Sequence, residues 1–312
     1  MASGPAIRKV PAILSPPPVP EPSSPDAASR VAVVTDTTPY LPPALIAAHD
    51  VTQVSLYVGW AGDLAREDSY TDLAAFYARL HASPDLPTTS QPSVGDFVTV
   101  YEPLVAAGRH VVSVHLARGL SGTYESAQEA ARAVAVAGHP GRVRVVDGQT
   151  GAGGLGLLVV AAARAAEAGA TSAEVVDEIE RARATLDIWF SLDTLEYLRR
   201  GGRIGAAQAF VGAALKVKPI LTFGTEIAPV ARVRTHRRAY ARMVDYLREL
   251  QERGATDWCV QHAQAPDDAE RLVADGTEIF GFGPLFCTEV GPVLGAHLGA
   301  GMLVGGMAAP PR

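Results

Sequence analysis

Residues 111–127 decide the fold, and they read VVSVHLARGLSGTYESA. The apolar, β-branched run at their start, with Val111, Val112 and Val114, predicts a short buried strand. A small polar turn follows and leads into an alanine-rich helix. This order of strand, turn and helix is typical of an α/β protein, in which free backbone N–H groups at the start of a helix face an anion.

The turn between this strand and this helix carries hydrogen-bond donors. Ser121 and Thr123 supply hydroxyl groups, and Gly122 between them allows a ligand to approach the backbone closely. An ordinary helix N-cap is the alternative, because serine, threonine and glycine are also preferred at that position. The residues of the turn are compatible with both interpretations.

The composition of the whole chain indicates a globular protein of about two domains. It has 312 residues, of which 48% are hydrophobic, enough to bury a large core. A net charge of −6 argues against a general nucleic-acid-binding protein. The two cysteines, Cys259 and Cys287, form neither a metal-binding spacing nor a disulfide framework. We therefore expect a cytoplasmic protein without a transmembrane segment, a cofactor or a metal.

The patterning divides the chain into four segments. We expect a disordered, proline-rich leader at residues 1–29. Alternating strand and helix patterns predict an N-terminal α/β domain with a parallel sheet over residues 30–187. A change of composition predicts a smaller α+β domain over residues 188–308, and residues 309–312 form a tail.

Finer expectations follow within the two domains. Residues 51–58 and 278–282 have the pattern of strands, and residues 289–301 that of a glycine-rich turn.

Residues 151–156 read GAGGLG and match a dinucleotide-binding fingerprint after a strand. The second strand with an acidic residue that this fingerprint needs, about 20 residues on, is replaced by a helical pattern. We therefore expect a core helix from residue 151 onward, and a nucleotide-binding protein is only a third interpretation.

Two further polar segments are candidates for ligand contacts. Residues 35–38 read TDTT after a predicted strand, at the end where open α/β sheets bind ligands, although this is also a common cap. Residues 86–93 read LPTTSQPS, and the two prolines predict an extended, stiff segment. Its alternative role is that of a connector, with Ser93 as the N-cap of the next helix.

Seven motifs in a fixed order lead to a family resemblance. They are TDTT at 35–38, TSQPS at 89–93, LSGTYESA at 120–127, LEYLRRGGRI at 195–204, KVKPIL at 216–221, VRT at 233–235 and GPVLGAHLG at 291–299. Each motif alone is weak, but together they are specific. Over about residues 31–306 the chain resembles the DegV family of bacterial fatty-acid-binding proteins, the carrier subunits of fatty acid kinase systems.

The resemblance implies a two-domain DegV-like fold with a long-chain fatty acid, such as palmitate or oleate, between the domains. The carboxylate is expected at polar residues and the tail in an apolar tunnel, while a separate kinase phosphorylates the bound acid. Carried over motif by motif, the ligand-binding residues are Thr89, Ser90, Ser121, Gly122, Thr123 and His297. The basic surface expected to dock the kinase carries Arg200, Arg203, Arg234 and Arg237.

A rival interpretation is a serine hydrolase or acyltransferase. Ser121 would be its nucleophile and His297 its base, with Asp36 or Asp147 orienting the histidine. The segment GLSGT at 119–123 departs from the G-x-S-x-G pattern of such enzymes, because Thr123 takes the place of the last glycine. The main expectation is therefore a carrier with no chemistry of its own.

Overall fold

The computed structural model describes residues 31–211 and 217–308. The expected leader at 1–29, Lys216 of the fifth motif and the expected tail at 309–312 lie outside the described residues.

The described residues hold thirteen strands and ten α-helices. The strands are β1 (Val31–Asp36), β2 (Thr52–Val54), β3 (Tyr57–Trp60), β4 (Asp63–Arg66), β5 (Thr88–Ser90), β6 (His110–His115), β7 (Val143–Asp147), β8 (Asp187–Leu192), β9 (Lys218–Phe223), β10 (Ile227–Val233), β11 (Ala255–Ala263), β12 (Phe286–Glu289) and β13 (Gly301–Ala308). The helices are α1 (Pro43–Ala48), α2 (Leu73–Ala82), α3 (Val94–Ala106), α4 (Thr123–Val136), α5 (Ala152–Glu167), α6 (Ser172–Thr185), α7 (Glu196–Arg200), α8 (His236–Glu252), α9 (Pro266–Phe280) and α10 (Pro292–Leu298). Two short 3₁₀ helices span Glu67–Ser69 and Gly205–Phe210.

The first sheet has the order β2-β1-β6-β7, and all its strands are parallel. Its two inner strands, β1 and β6, are buried on both faces, because helices cover both. Ala32 and Val34 pack towards α3 and α4, whereas Val31 and Val33 pack in the core that contains α5 and α6. The expected α/β architecture with a parallel sheet is confirmed.

The second sheet has the order β10-β9-β8-β13-β11-β12 and is antiparallel apart from the β11–β12 pair. Its central strand β13, with the sequence GMLVGGMA, was missed because glycine and methionine give little strand signal. Close packing explains one of these glycines. A Cβ on Gly305 would stand 2.3 Å from a side-chain carbon of Ile188 in the neighbouring strand.

Helix α5 lies between the two sheets and packs against both. Thirteen of its sixteen residues are buried, as expected of a helix that is apolar all round. A Cβ on Gly153 would stand 2.6 Å from Sγ of Cys259 in β11, and a Cβ on Gly154 or Gly156 would be similarly crowded, so tight packing accounts for these three glycines of the GAGGLG segment. The prediction of a core helix is confirmed.

A third, three-stranded sheet has the order β4-β3-β5 and contacts α10. Residues 86–93 form both the extended segment and the connector with a helix cap that the sequence allows. Residues 88–90 are extended as β5, and Ser93 is the N-cap of α3 in a capping box with Asp96.

Three expectations on secondary structure were wrong. Residues 51–58 form no single strand, since β2 joins the first sheet and β3 the third. Residues 278–280 end α9, which stops at Gly281 with φ of +78°. Residues 292–298 form α10, which begins with proline in its first turn. In the described part of the chain, every helix is too short or too polar to cross a bilayer.

Candidate ligand-binding site

A cavity of about 50 Å³ joins residues from both halves of the chain. Nine of its lining residues are apolar: Leu56, Leu116, Leu120, Leu198, Phe223, Ile227, Val293, Leu294 and Leu298. The other six are polar or charged: Thr89, Ser90, Gln91, Ser121, Arg203 and His297. This combination suits an amphipathic ligand, because apolar walls bind an apolar body and a few polar groups orient its polar end.

Two of the polar lining residues, one from β5 and one from α10, form a pair. Thr89 Oγ1 lies 2.8 Å from His297 Nε2, and the two residues are 208 positions apart in sequence. The extended backbone of β5 presents Thr89, and α10 presents His297 near its last turn. Four of the predicted ligand residues, Thr89, Ser90, Ser121 and His297, line this one cavity.

His297 is neutral near pH 7. Burial lowers its pKa to about 4, and the positive charge of Arg203 acts in the same direction. A neutral imidazole has one N–H, so Thr89 Oγ1 either donates to Nε2 or accepts from it. His297 Nδ1 is buried and has no hydrogen-bond partner among the described residues. The backbone of Gly201 closes this side of the ring, because a Cβ there would stand 2.4 Å from Nδ1.

The turn before α4 places Ser121 at the cavity and turns Thr123 away from it. Ser121 Oγ lies 2.9 Å from Thr123 Oγ1 and accepts a hydrogen bond from Thr123 N at 3.3 Å. Thr123 is buried, and a Cβ on Gly122 would stand 2.8 Å from Nε2 of Gln91. Gly122 and Thr123 therefore pack against the lining residues Gln91 and Ser121 and do not line the cavity themselves.

Arg203 is the charged residue among those that line the cavity. Its guanidinium is held by backbone carbonyls, with Nη1 donating to Gly201 O at 2.7 Å and Nε to Leu120 O at 3.4 Å. The resemblance groups it with the docking arginines, and it is exposed as they are, but it also lines the cavity near His297. It supplies the positive charge that a neutral His297 does not.

The other predicted docking residues lie outside the cavity. Arg200 is exposed and donates from Nη2 to Pro84 O at 2.7 Å. Arg234 follows β10, Arg237 lies in the first turn of α8, and both are exposed. Their placement on the surface leaves the docking role a prediction.

The groups of the rival hydrolase are not assembled into a triad. His297 pairs with Thr89, and Ser121 pairs with Thr123. Asp36 is fully buried and accepts from His115 Nδ1 at 3.0 Å, while Asp147 accepts from the backbone N–H groups of Arg118 and Gln149. Neither carboxylate orients His297.

A buried serine, histidine and aspartate, carried by β6 and β1, do form a hydrogen-bonded chain in the core. Ser113 Oγ lies 2.7 Å from His115 Nε2, and His115 Nδ1 lies 3.0 Å from Asp36 Oδ2. Tyr101 donates to Ser113 Oγ at 2.7 Å. All of these side chains are fully buried, so a substrate does not reach the serine and the chain is a structural network.

Comparison with known proteins identifies the family. The model of the family described as "Uncharacterised protein, DegV family" matches residues 30–309. A DegV domain-containing protein from Streptomyces coelicolor is 41% identical over 278 residues, which cover 88% of this chain and 96% of that protein. The chain belongs to the DegV family.

Solved structures of other DegV proteins share the fold. A DegV family protein from Thermus thermophilus, whose structure concerns fatty acid binding, has a TM-score of 0.80 and 33% identity, covering 90% of this chain and 100% of that chain. DegV from Bacillus subtilis, a fatty acid binding protein, has a TM-score of 0.80 and 30% identity with the same coverage. The expected family and DegV-like fold are thus confirmed for this chain.

The DegV chain also contains site features that sequence reasoning missed. Gln91 lines the cavity although its motif drew attention only to Thr89 and Ser90. Glu67 is buried beside the N-terminus of α10, and its sequence context of alternating charges, AREDS, gives no sign of burial. Among the described residues no group of histidine, cysteine, aspartate and glutamate could hold a metal ion.

Proposed function

We propose that this DegV-family protein binds one long-chain fatty acid. The carboxylate lies at Thr89, Ser90, Ser121 and His297, and the acyl chain follows the apolar walls of the cavity. The observation that carries the proposal is the Thr89–His297 pair, which lines one cavity together with Ser121 and nine apolar residues. The fatty acid binding of the Thermus thermophilus and Bacillus subtilis relatives supports it.

Hydroxyl donors and one cation complement a carboxylate. Ser121 and Thr89 donate through hydroxyl groups, and Arg203 adds a charge that makes such hydrogen bonds stronger. No acidic side chain is among the residues that line the cavity, so nothing there repels an anion. We place the ligand between the proposed domains 30–187 and 188–308, because both contribute lining residues.

The acyl chain supplies most of the affinity. At about 0.8 kcal/mol per buried methylene, roughly 14 methylenes contribute on the order of 11 kcal/mol before association costs of several kcal/mol are subtracted. A cavity of about 50 Å³ is much smaller than such a chain, so the apolar side chains must move apart to admit it. The polar lining residues are thus already in place for a carboxylate, whereas the apolar walls adjust to the acyl chain.

In this proposal the protein is a carrier, and a partner kinase phosphorylates the bound carboxylate. Arg200, Arg203, Arg234 and Arg237, which are all exposed, are the basic residues that would dock the kinase. A cytoplasmic location agrees with two free cysteines, of which Cys287 is exposed.

Native mass spectrometry of the freshly purified chain, followed by organic extraction, tests the proposal. A stoichiometric long-chain fatty acid supports it and gives the chain length. A protein that is empty and also fails to take up oleate or palmitate contradicts it, and esterase turnover that depends on Ser121 would favour the hydrolase instead.

A further inference from the structure

Glu67 is a buried carboxylate with three hydrogen-bond donors around it. It begins the 3₁₀ helix after β4, and only 4% of its surface is exposed. Its Oε1 accepts from Tyr40 OH at 2.8 Å and from Val293 N at 2.7 Å, and its Oε2 accepts from Thr37 Oγ1. The carboxylate thus joins the turn after β1 to the first turn of α10.

The first turn of α10 depends on these partners from the other half of the chain. Backbone N–H groups in the first turn of a helix lack acceptors within the helix. The N-cap residue of α10 is Gly291, which has no side chain to accept from them. Glu67 accepts from Val293 N, and Tyr40 OH accepts from Leu294 N at 3.0 Å. Glu67 and Tyr40 together replace the missing cap.

The same short helix builds the candidate site. Val293 and Leu294, whose N–H groups are held by Glu67 and Tyr40, line the cavity with their side chains. His297 lies one turn further on and meets Thr89. The fit at the helix start is close, because a Cβ on Gly291 would stand 2.4 Å from the Tyr40 ring and 3.1 Å from Glu67 Oε1. A shift of this helix start therefore moves His297 relative to Thr89.

We propose that Glu67 is a positioning residue for ligand binding: it caps α10 from outside the helix and sets the place of His297 against Thr89. This inference rests on the proposed fatty acid binding. Glu67 acts through His297 and does not line the cavity itself.

The titratable groups around Glu67 are all acidic or phenolic. Asp36 faces it from β1, Tyr40 from the turn after β1 and Tyr77 from α2, while Glu289 of β12 acts on Tyr77. Burial raises the pKa of Glu67 to about 7, so its charge changes near neutral pH. A glutamine at this position keeps an oxygen for Val293 N and removes the titration.

The test is the affinity of delipidated full-length protein for oleate, measured by titration calorimetry at constant pH. Glu67→Leu removes the acceptor and is expected to weaken binding by about tenfold or more. Glu67→Gln is expected to bind within about threefold of the wild type. Glu102→Gln, on the exposed face of α3, is the matched control and is expected to bind as the wild type does.

A double-mutant cycle distinguishes positioning from a general structural role. If Glu67 acts through His297, the variant with both Glu67→Leu and His297→Ala binds no more weakly than His297→Ala alone. Where Glu67→Leu does not fold, Tyr40→Phe takes its place in the cycle, since it removes the acceptor of Leu294 N. Additive losses, or unchanged affinity in Glu67→Leu, overturn the inference while wild-type binding still upholds the proposed function. A wild type that fails to bind oleate overturns both.

Discussion

Thr89 and His297 meet at 2.8 Å although 208 positions separate them in the chain. The contact joins an edge strand of the small third sheet to a seven-residue helix, and both residues line the cavity. Ligand binding therefore depends on how exactly these two short elements are held.

Replacing His297 should weaken oleate binding without removing it. His297→Ala removes the imidazole that pairs with Thr89 Oγ1 in the cavity lining, at an expected cost of about 1–3 kcal/mol in ligand binding, and titration calorimetry measures the change. His139→Ala, away from the cavity, is the control. An unchanged affinity in His297→Ala would remove the histidine from the site.

Ser121→Ala should separate a carrier from a hydrolase. We expect weaker oleate binding and no ester hydrolysis in either the wild type or the variant. Because Ser121 Oγ also accepts from Thr123 N, the variant should lose about 1 kcal/mol of unfolding free energy as well. Measurable wild-type esterase turnover that disappears in the variant would contradict the carrier interpretation.

Gly201→Ala should disturb the site by crowding the Nδ1 side of the His297 ring. The added methyl group would stand 2.4 Å from His297 Nδ1, so the ring or the backbone must shift. We expect a loss of about 1–3 kcal/mol in unfolding free energy, measured by urea denaturation, together with weaker oleate binding. Gly95→Ala on α3, where the nearest atom is 3.6 Å away, is the control and should be neutral or stabilising.

Glu67 should make unfolding depend on pH in a direction opposite to His297. The pKa of Glu67 rises from 4.5 to about 7 on folding, so the native state binds the proton more tightly and stability falls as the pH rises through this window. The difference corresponds to about 3 kcal/mol at about 1.4 kcal/mol per pKa unit. His297, with its pKa lowered from 6.5 to about 4, makes stability rise over its own window.

Urea denaturation of the wild type and Glu67→Gln between pH 4 and pH 8 isolates the glutamate. The stability of the wild type relative to the variant should fall by about 3 kcal/mol across this range. A constant difference would show that Glu67 has an ordinary pKa.

Charge reversal should separate docking from ligand binding. Arg200→Glu is expected to leave oleate affinity unchanged and to weaken association with a partner kinase, because Arg200 lies outside the cavity. Arg203→Glu, within the cavity lining, should weaken oleate binding itself. Equal loss of oleate affinity in both variants would mean that Arg200 supports the structure of the site.

The sequence was sufficient where a signal is local. The apolar strand at 111–114, the proline-bounded extended segment and the cap at Ser93 all depend on residues within a few positions of each other. The motif order then led to the family and to four residues that line one cavity. Local patterns also misled, since the glycines near His297 suggest a turn although they belong to a helix packed on Tyr77 and Tyr197.

What could not be predicted depends on contacts between distant elements. Glu67 has the neighbours of a surface residue, and its burial follows from Tyr40 and Val293, which come from other parts of the chain. The resemblance assigned Arg203 to the docking surface, and it is exposed, but the fold also places it in the cavity lining, close enough to His297 to lower the pKa of that imidazole. Strand β13 has few strand-forming residues and is held in place by the strands on both sides.

The placement of α5 has a consequence for how quickly a ligand exchanges. Helix α5 is buried between the two large sheets and connects the two halves of the chain rigidly. A hinge motion between the halves would expose its thirteen buried residues to water. Opening on the timescale of ligand exchange must then be local. We expect the off-rate of an acyl ligand to follow the fluctuations of α10 and of residues 86–93, and hydrogen exchange at their amides to be fast while that of α5 stays slow.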